Sequence, residues 1–375
     1  QHYKMAVYKI FPSADAFVNT QVVTANAGFD EMLELAGYPV NEVGQTSRSL
    51  VRFKTSEIQN VLNNKVGTTP FTASIDLKVA EAYETPATHS VFCYPLAESW
   101  SEGVGKFADD ISTGSADKSG VSWFYRSPNE ADAWKTSSFA TYQTASYNDT
   151  YPGGCSWYTA SAAYNLEATQ SFTEGDDFDI NINVTNSVHL HYSGTLDNNG
   201  FILKLQDDLE FYTSASLINK YYSRNTNTIY PPSLIISWDD QTYVTGSLTV
   251  LDTSQAVIEV TNNRGDYPDE GKYRFRLLSR PKNPTRIFTT GSIYKTNHAL
   301  PSGSVYGLKD EYTEEMEIPF DTATTKVSCD ASGSYIDLFM DGLQPERYYR
   351  ILIKSELDGS TVIDDSNIFK VVRHG

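Results

Sequence analysis

The chain has 375 residues, of which 40 % are hydrophobic and 20 % charged, with a formal net charge of −18. The length exceeds one ordinary β-sandwich and suits two β domains or three small ones. The acidity disfavours nucleic acid and anionic membrane surfaces as partners of the molecule as a whole. No apolar run approaches the ~20 residues of a membrane helix. The first eleven residues lack the charged head and apolar run of a signal peptide, so one is expected to be absent or already removed. Three widely separated cysteines, Cys93, Cys155 and Cys329, argue against a disulfide framework or a thiolate zinc site, and suit small buried hydrophobes.

In chain order, Asp30 is placed to cap a short helix carrying Met32, Leu33 and Leu35, and Thr55 or Ser56 a second carrying Ile58, Val61 and Leu62. Period-two alternation takes over from there. Ile75, Leu77 and Val79 share one strand face, with Asp76 and Lys78 on the other. The same spacing recurs at Ile180, Ile182 and Val184, then at Phe201, Leu203 and Leu205, then at Leu234, Ile236 and Trp238. It returns at Tyr273, Phe275 and Leu277, at Ile336, Leu338 and Met340, and at Tyr349, Ile351 and Ile353. Turn chemistry at Gly153-Gly154, Asn199-Gly200, Pro231-Pro232, Asp341-Gly342 and Asp358-Gly359 separates them. Aromatic residues make up 13 % of the chain, which favours pleated, half-buried surfaces. The expected fold is all-β: an N-terminal jelly-roll-like antiparallel sandwich over 1–240, then one or two small Ig-like sandwiches over 241–375. Prolines 281 and 284 mark a weak point near 281–300.

Several ordered phrases carry a resemblance. In the front part they are Ser49-Leu50-Val51-Arg52-Phe53, then Val91-Phe92-Cys93-Tyr94-Pro95-Leu96, then Glu98-Ser99-Trp100-Ser101-Glu102-Gly103, then Gly120-Val121-Ser122-Trp123. They continue through Asp179–Thr185, Asn199–Lys204 and Pro232–Ile236. This series resembles the DNRLRE-type β-sandwich, a jelly-roll module of extracellular and surface proteins, over residues 6–240; the module's namesake run is not present. Trp100 and Trp123 are expected in its core. In the back part, Leu343-x-Pro345-x-x-x-Tyr349 resembles the tyrosine corner of fibronectin-type and Ig-like sandwiches, in which the Tyr hydroxyl bonds back to backbone near the preceding turn. Tyr306–Asp310, Ile318–Asp321, Thr325–Ser328, Leu343–Tyr349 and Asn367–Arg373, together with the opening Ala6–Ala16, resemble virion structural proteins of marine T4-like tailed phages. That resemblance implies a non-enzymatic particle component, located in the virion, whose partners are other virion proteins and copies of itself.

Few residues invite chemistry. His189 and His191 stand two apart on an expected strand, which puts both imidazoles on one face as the start of a metal site, with no third ligand nearby in sequence. Calcium is the one cofactor with nominees, the acidic loops at Asp109 and Asp110 with Asp117, at Glu174, Asp176, Asp177 and Asp179, and at Asp239 and Asp240. None has EF-hand spacing, and solvated turn residues are the better explanation. The sequence shows no GxSxG, HExxH or P-loop pattern. Lys272, Arg274 and Arg276 alternate outward from Tyr273, Phe275 and Leu277, and Arg280, Lys282 and Arg286 follow; this basic stripe is the nominated interface for an acidic neighbour. Two other readings share the fold: an adhesive module binding a host surface glycan through exposed aromatics, and a glycan depolymerase with two facing carboxylates.

Overall fold

The computed structural model describes residues 6–83, 86, 88–107, 117–135, 143–144, 153–161, 164–211, 216–286 and 292–373. The chain is all-β. Its strands in order are β1 (Ala6–Ile10), β2 (Ala14–Asn19), β3 (Met32–Val40), β4 (Val43–Arg52), β5 (Phe71–Leu77), β6 (Val79–Tyr83), β7 (Thr88–Pro95), β8 (Gln143–Thr144), β9 (Tyr158–Ala160), β10 (Ala168–Thr173), β11 (Ile180–Asn183), β12 (Phe201–Leu205), β13 (Leu217–Tyr222) and β14 (Ser233–Trp238). They continue as β15 (Ala256–Val260), β16 (Asp266–Pro268), β17 (Lys272–Pro281), β18 (Val305–Asp310), β19 (Met316–Ile318), β20 (Ser328–Asp330), β21 (Gly333–Phe339), β22 (Arg347–Leu357) and β23 (Ser360–Val372). Helices α1 (Thr55–Val61) and α2 (Thr185–Ser193) interrupt them. Two compact units result: residues 10–65 with 72–235, and residues 236–375 with 1–9 and 66–71.

In the first unit β4 is central. It pairs antiparallel with β2, with β3 and with β12; β12 continues to β7 and β10, and β3 to β13 and β6. A second, smaller pairing joins β5 to β11. Because β4 and β12 are covered on both sides, Leu50 and Val51 are both fully buried, as are Phe201, Ile202 and Leu203. β12 accordingly reads as an almost continuous apolar run, whereas β4 buries Gln45, Thr46, Ser47, Arg48 and Ser49 beside its apolar residues.

Two expectations change here. Met32–Val40 is strand β3, not a helix: Leu33 and Leu35 are buried at alternate positions, and its backbone bonds go to β4 and β13. Asp30 caps nothing there; its Oδ2 accepts the Phe107 N–H at 2.8 Å. Conversely, the strand expected at His189 and His191 is helix α2, ended by Gly194 in the left-handed region at φ 73°. Helix α1 forms where expected and buries Ile58 and Val61, but its cap position is Lys54, and a π-helical turn at Leu62–Val66 follows.

In the second unit, one sheet runs β15-β17-β21-β20 and the other β16-β23-β22-β18-β19. With β15, β17, β21 and β20 as strands A, B, E and D, and β18, β22 and β23 as C, F and G, this is the Ig-like connectivity. All pairings are antiparallel except β16 with β23. Phe275, Leu277, Ile336 and Leu338 from one sheet meet Tyr306, Leu308, Ile351, Ile353 and Phe369 from the other in one core. Residues 282–286 and 292–300 therefore belong to the connection between strands B and C of this sandwich. The opening residues belong to this unit too: Val7 packs on its core, Tyr8 Oη donates to Asp341 Oδ2 at 3.2 Å, and Lys9 pairs with Glu317.

Candidate functional site

The tyrosine corner is built as a folding device. Chain leaving β21 passes a 3₁₀ turn at Met340–Gly342, buries Leu343, and rises past Pro345 into β22. Tyr349 is 1 % exposed, and its hydroxyl both donates to Gln344 O at 3.1 Å and accepts the Gln344 N–H at 3.0 Å. Burial pushes the phenol well above its usual range, so it stays a neutral donor.

Trp100 and Trp123 both lie in the first unit's core, with Trp134 and Trp157. The Trp123 and Trp157 rings hold an unexpected ion cluster between them. The Arg48 guanidinium stands 4.9 Å from the Trp123 ring centroid and 5.1 Å from that of Trp157. It grips Glu210 through Nε to Oε1 at 2.7 Å and Nη2 to Oε2 at 2.8 Å, and donates Nη1 to Gly154 O at 2.5 Å. Lys204 Nζ reaches Glu210 Oε2 at 3.1 Å, Asp207 Oδ1 at 2.5 Å and Leu205 O at 3.0 Å. Burial works against the charge on Arg48, and Glu210 outweighs it. Gly154 is indispensable geometrically: at φ 74°, a Cβ there would meet the Trp123 ring at 2.5 Å and Arg48 Nη1 at 2.8 Å. Sequence reading missed this cluster because its members are 48, 154, 204 and 210, with no local spacing to mark them.

A carboxylate pair also went unread. Asp15, 1 % exposed, accepts the Arg224 N–H on Oδ2 at 2.6 Å and donates its own N–H to Glu102 Oε1 at 2.9 Å. Arg224 Nη1 closes the group on both Glu102 oxygens at 3.0 Å and on Ser13 O at 2.6 Å. Burial, set against the Arg224 N–H bond and joined by the charge of Glu102, pushes Asp15 up to about 7. A carboxyl poised there can exchange a proton near neutrality, but its burial keeps it from any substrate. A separate cavity of about 410 Å³ is lined by Phe17, Met32, Glu34, Lys106, Phe107 and Lys220 among others. The Phe17 and Phe107 rings meet edge-on at 5.3 Å. Burial raises Glu34 above its usual range, against bonds from Ser47 and Asn19.

The remaining nominees are dispersed. α2 turns His189 outward and His191 inward, since residues two apart on a helix do not share a face. His191 lies against Phe201 with both ring nitrogens unbonded, and burial holds it down at about 4. It faces no partner ligand. Asp176 Oδ2 accepts the Thr173 N–H at 2.6 Å and its hydroxyl at 2.8 Å, and Asp177 Oδ1 accepts the Asp179 N–H at 3.3 Å: these close a turn. Asp109 and Asp110 lie outside the described residues. Among the described residues, no group of three metal-binding side chains assembles. All three thiols are free and buried.

The first three cations of the basic stripe, Lys272, Arg274 and Arg276, are neutralised by acids of the same unit. Lys272 reaches Asp240 at 3.2 Å and Asp337 at 3.1 Å; Arg274 grips Asp337 at 2.8 and 2.9 Å; Arg276 reaches Asp330 at 2.7 Å. Arg274 also lies 3.8 Å over the Tyr335 ring. Bonds from Arg276 hold Asp330 below the ordinary carboxylate range; burial pushes Asp337 up, but Arg274 and Lys272 outweigh it. The unpaired charge on which docking through Lys272, Arg274 and Arg276 rested is therefore missing, because acids distant in sequence come to face it.

No family model and no curated protein matches the chain. Among solved structures it is similar to the adhesin domain of Epf from Streptococcus pyogenes, with 9 % identity over 99 % of this chain and 93 % of that one. The TM-score of 0.16 is too low for that likeness to support an argument about fold or function.

Proposed function

We propose that the chain is a non-catalytic structural component of a tailed-phage virion, acting by packing against neighbouring particle proteins and copies of itself. The observation that carries this reading is that its strongest polar clusters are closed on themselves. Arg48, Glu210 and Lys204 satisfy one another, Asp15 and Glu102 share Arg224, and the β17 cations face aspartates. Such groups rigidify a scaffold and leave none of these charges directed at a substrate. Of the phrases that resemble virion proteins, those from Tyr306 onward lie in the Ig-like unit together with Ala6–Lys9 of the opening one, while Ile10–Ala16 lies in the other unit. Immunogold labelling of intact particles with antibody to the purified chain tests it. Label on particles supports the reading; absence of label, with polysaccharide hydrolysis by the purified chain, refutes it.

A second reading, a glycan-binding module, is favoured by the cavity at Phe17 and Phe107. Its aromatic wall and its mixed carboxylate and ammonium rim suit a hydroxyl-bearing ring. A glycan array probed with the whole chain separates the two, since this reading requires binding that Glu34→Ala abolishes.

A further inference from the structure

From Gly271 to Lys309 the chain contains no Asp or Glu, although its net charge is −18. The structure divides the cations of this stretch into two groups. Those at the start of β17 are neutralised by Asp240, Asp330 and Asp337. Four further along are not: Arg280 at the far end of β17, Lys282, Arg286 and Lys295 take part in no ion pair among the described residues, whereas Lys309 pairs with Glu314. Lys282, Arg286 and Lys295 are exposed. Arg280 lies 5.2 Å over the ring of Tyr294, itself 56 % exposed, and its Nε has no hydrogen-bond partner. Prolines 281 and 284 stiffen the segment between them. This is a basic, aromatic-bearing corner of the Ig-like unit.

The first unit carries its complement. The turn from β10 to β11 places Glu174, Asp176 and Asp177 in solvent, without an ion pair among the described residues. Bonds from the Thr173 N–H and hydroxyl hold Asp176 below its ordinary range, so it remains an anion.

We propose that the basic corner of one copy takes up the acidic β10–β11 turn of a second copy. The inference rests on the reading that copies of this chain pack together, and it names the surfaces. Two different patches meet, so every copy offers one of each to its neighbours. Exposed charges give a fast, salt-sensitive association. The overall negative charge opposes nucleic acid as the occupant.

Sedimentation velocity on the whole chain tests it, in low salt (~20 mM) and high salt (~500 mM), where screening lengths differ several-fold. The expected result is a weight-average mass that rises with concentration in low salt and returns to monomer in high salt. The corner variant Lys282→Glu/Arg286→Glu/Lys295→Glu and the turn variant Glu174→Lys/Asp177→Lys each weaken association at least about tenfold. An equimolar mixture of the two restores it. All five positions are exposed, and far-UV circular dichroism confirms that both variants fold. A wild-type chain that stays monomeric in low salt, association that survives either reversal, or a mixture that fails to associate overturns the proposal. So does binding of a short single-stranded DNA that the corner variant abolishes, since it gives the corner another occupant. Particle labelling with no self-association leaves the proposed function standing and removes this inference alone.

Discussion

At the residue scale, two buried titratable groups set opposite pH dependences. His191 is held at about 4 against 6.5 when unfolded, so the unfolded chain binds the proton first. Its contribution is complete above pH 6.5 and is lost as pH falls towards 4, by roughly 3 kcal/mol at full depth. Asp15 is the reverse: raised from 3.8 to about 7, it favours the fold most below pH 3.8 and loses that advantage as pH rises to 7, by roughly 4 kcal/mol. Urea titrations from pH 4 to 8 are expected to show a partly cancelled slope in the wild type. His191→Phe leaves stability falling with pH, and Asp15→Asn leaves it rising; unchanged slopes in both variants contradict these assignments. Tyr349 tests packing rather than charge. Tyr349→Phe keeps the ring and removes two bonds to Gln344, at an expected cost of about 1–3 kcal/mol in denaturant unfolding.

At the element scale, the segment Gly153–Trp157 is held against β4 by Arg48. Glu210→Gln removes the charge that balances both Arg48 and Lys204, each almost fully buried, and is expected to cost about 3–5 kcal/mol. Replacing Arg48 and Glu210 together by Met and Leu should cost less than Glu210→Gln alone, because the Arg48 charge leaves with its partner and Lys204 keeps Asp207. Gly154→Ala must both adopt φ 74° and displace Trp123, which sets its cost at about 2 kcal/mol or more. Thermal unfolding of the three variants orders them, and a double variant worse than Glu210→Gln contradicts this account.

At the scale of the whole molecule, the two units have separate cores. Differential scanning calorimetry is expected to show Glu210→Gln lowering one transition and Tyr349→Phe lowering the other. A single transition shifted equally by both contradicts that separation. The sequence by itself determined the all-β class, most of the alternating strands, the tyrosine corner and the burial of Trp100 and Trp123. The strands rest on a two-residue period and the corner on a Leu, a Pro and a Tyr at fixed offsets, whereas the two tryptophans were expected in the core of the sandwich that the front phrases resemble. It misread β3 as a helix, because Leu33 and Leu35 stand between residues whose burial depends on β4 and β13. It misread α2 as a strand, because two histidines two apart carry no period of their own. Only the tertiary structure decided which charges are spent and which are free. Asp240, Asp330 and Asp337 silence Lys272, Arg274 and Arg276, while Arg280, Lys282, Arg286 and Lys295 meet no acid among the described residues; Coulomb pairing depends on distance in space, and sequence separation conceals it.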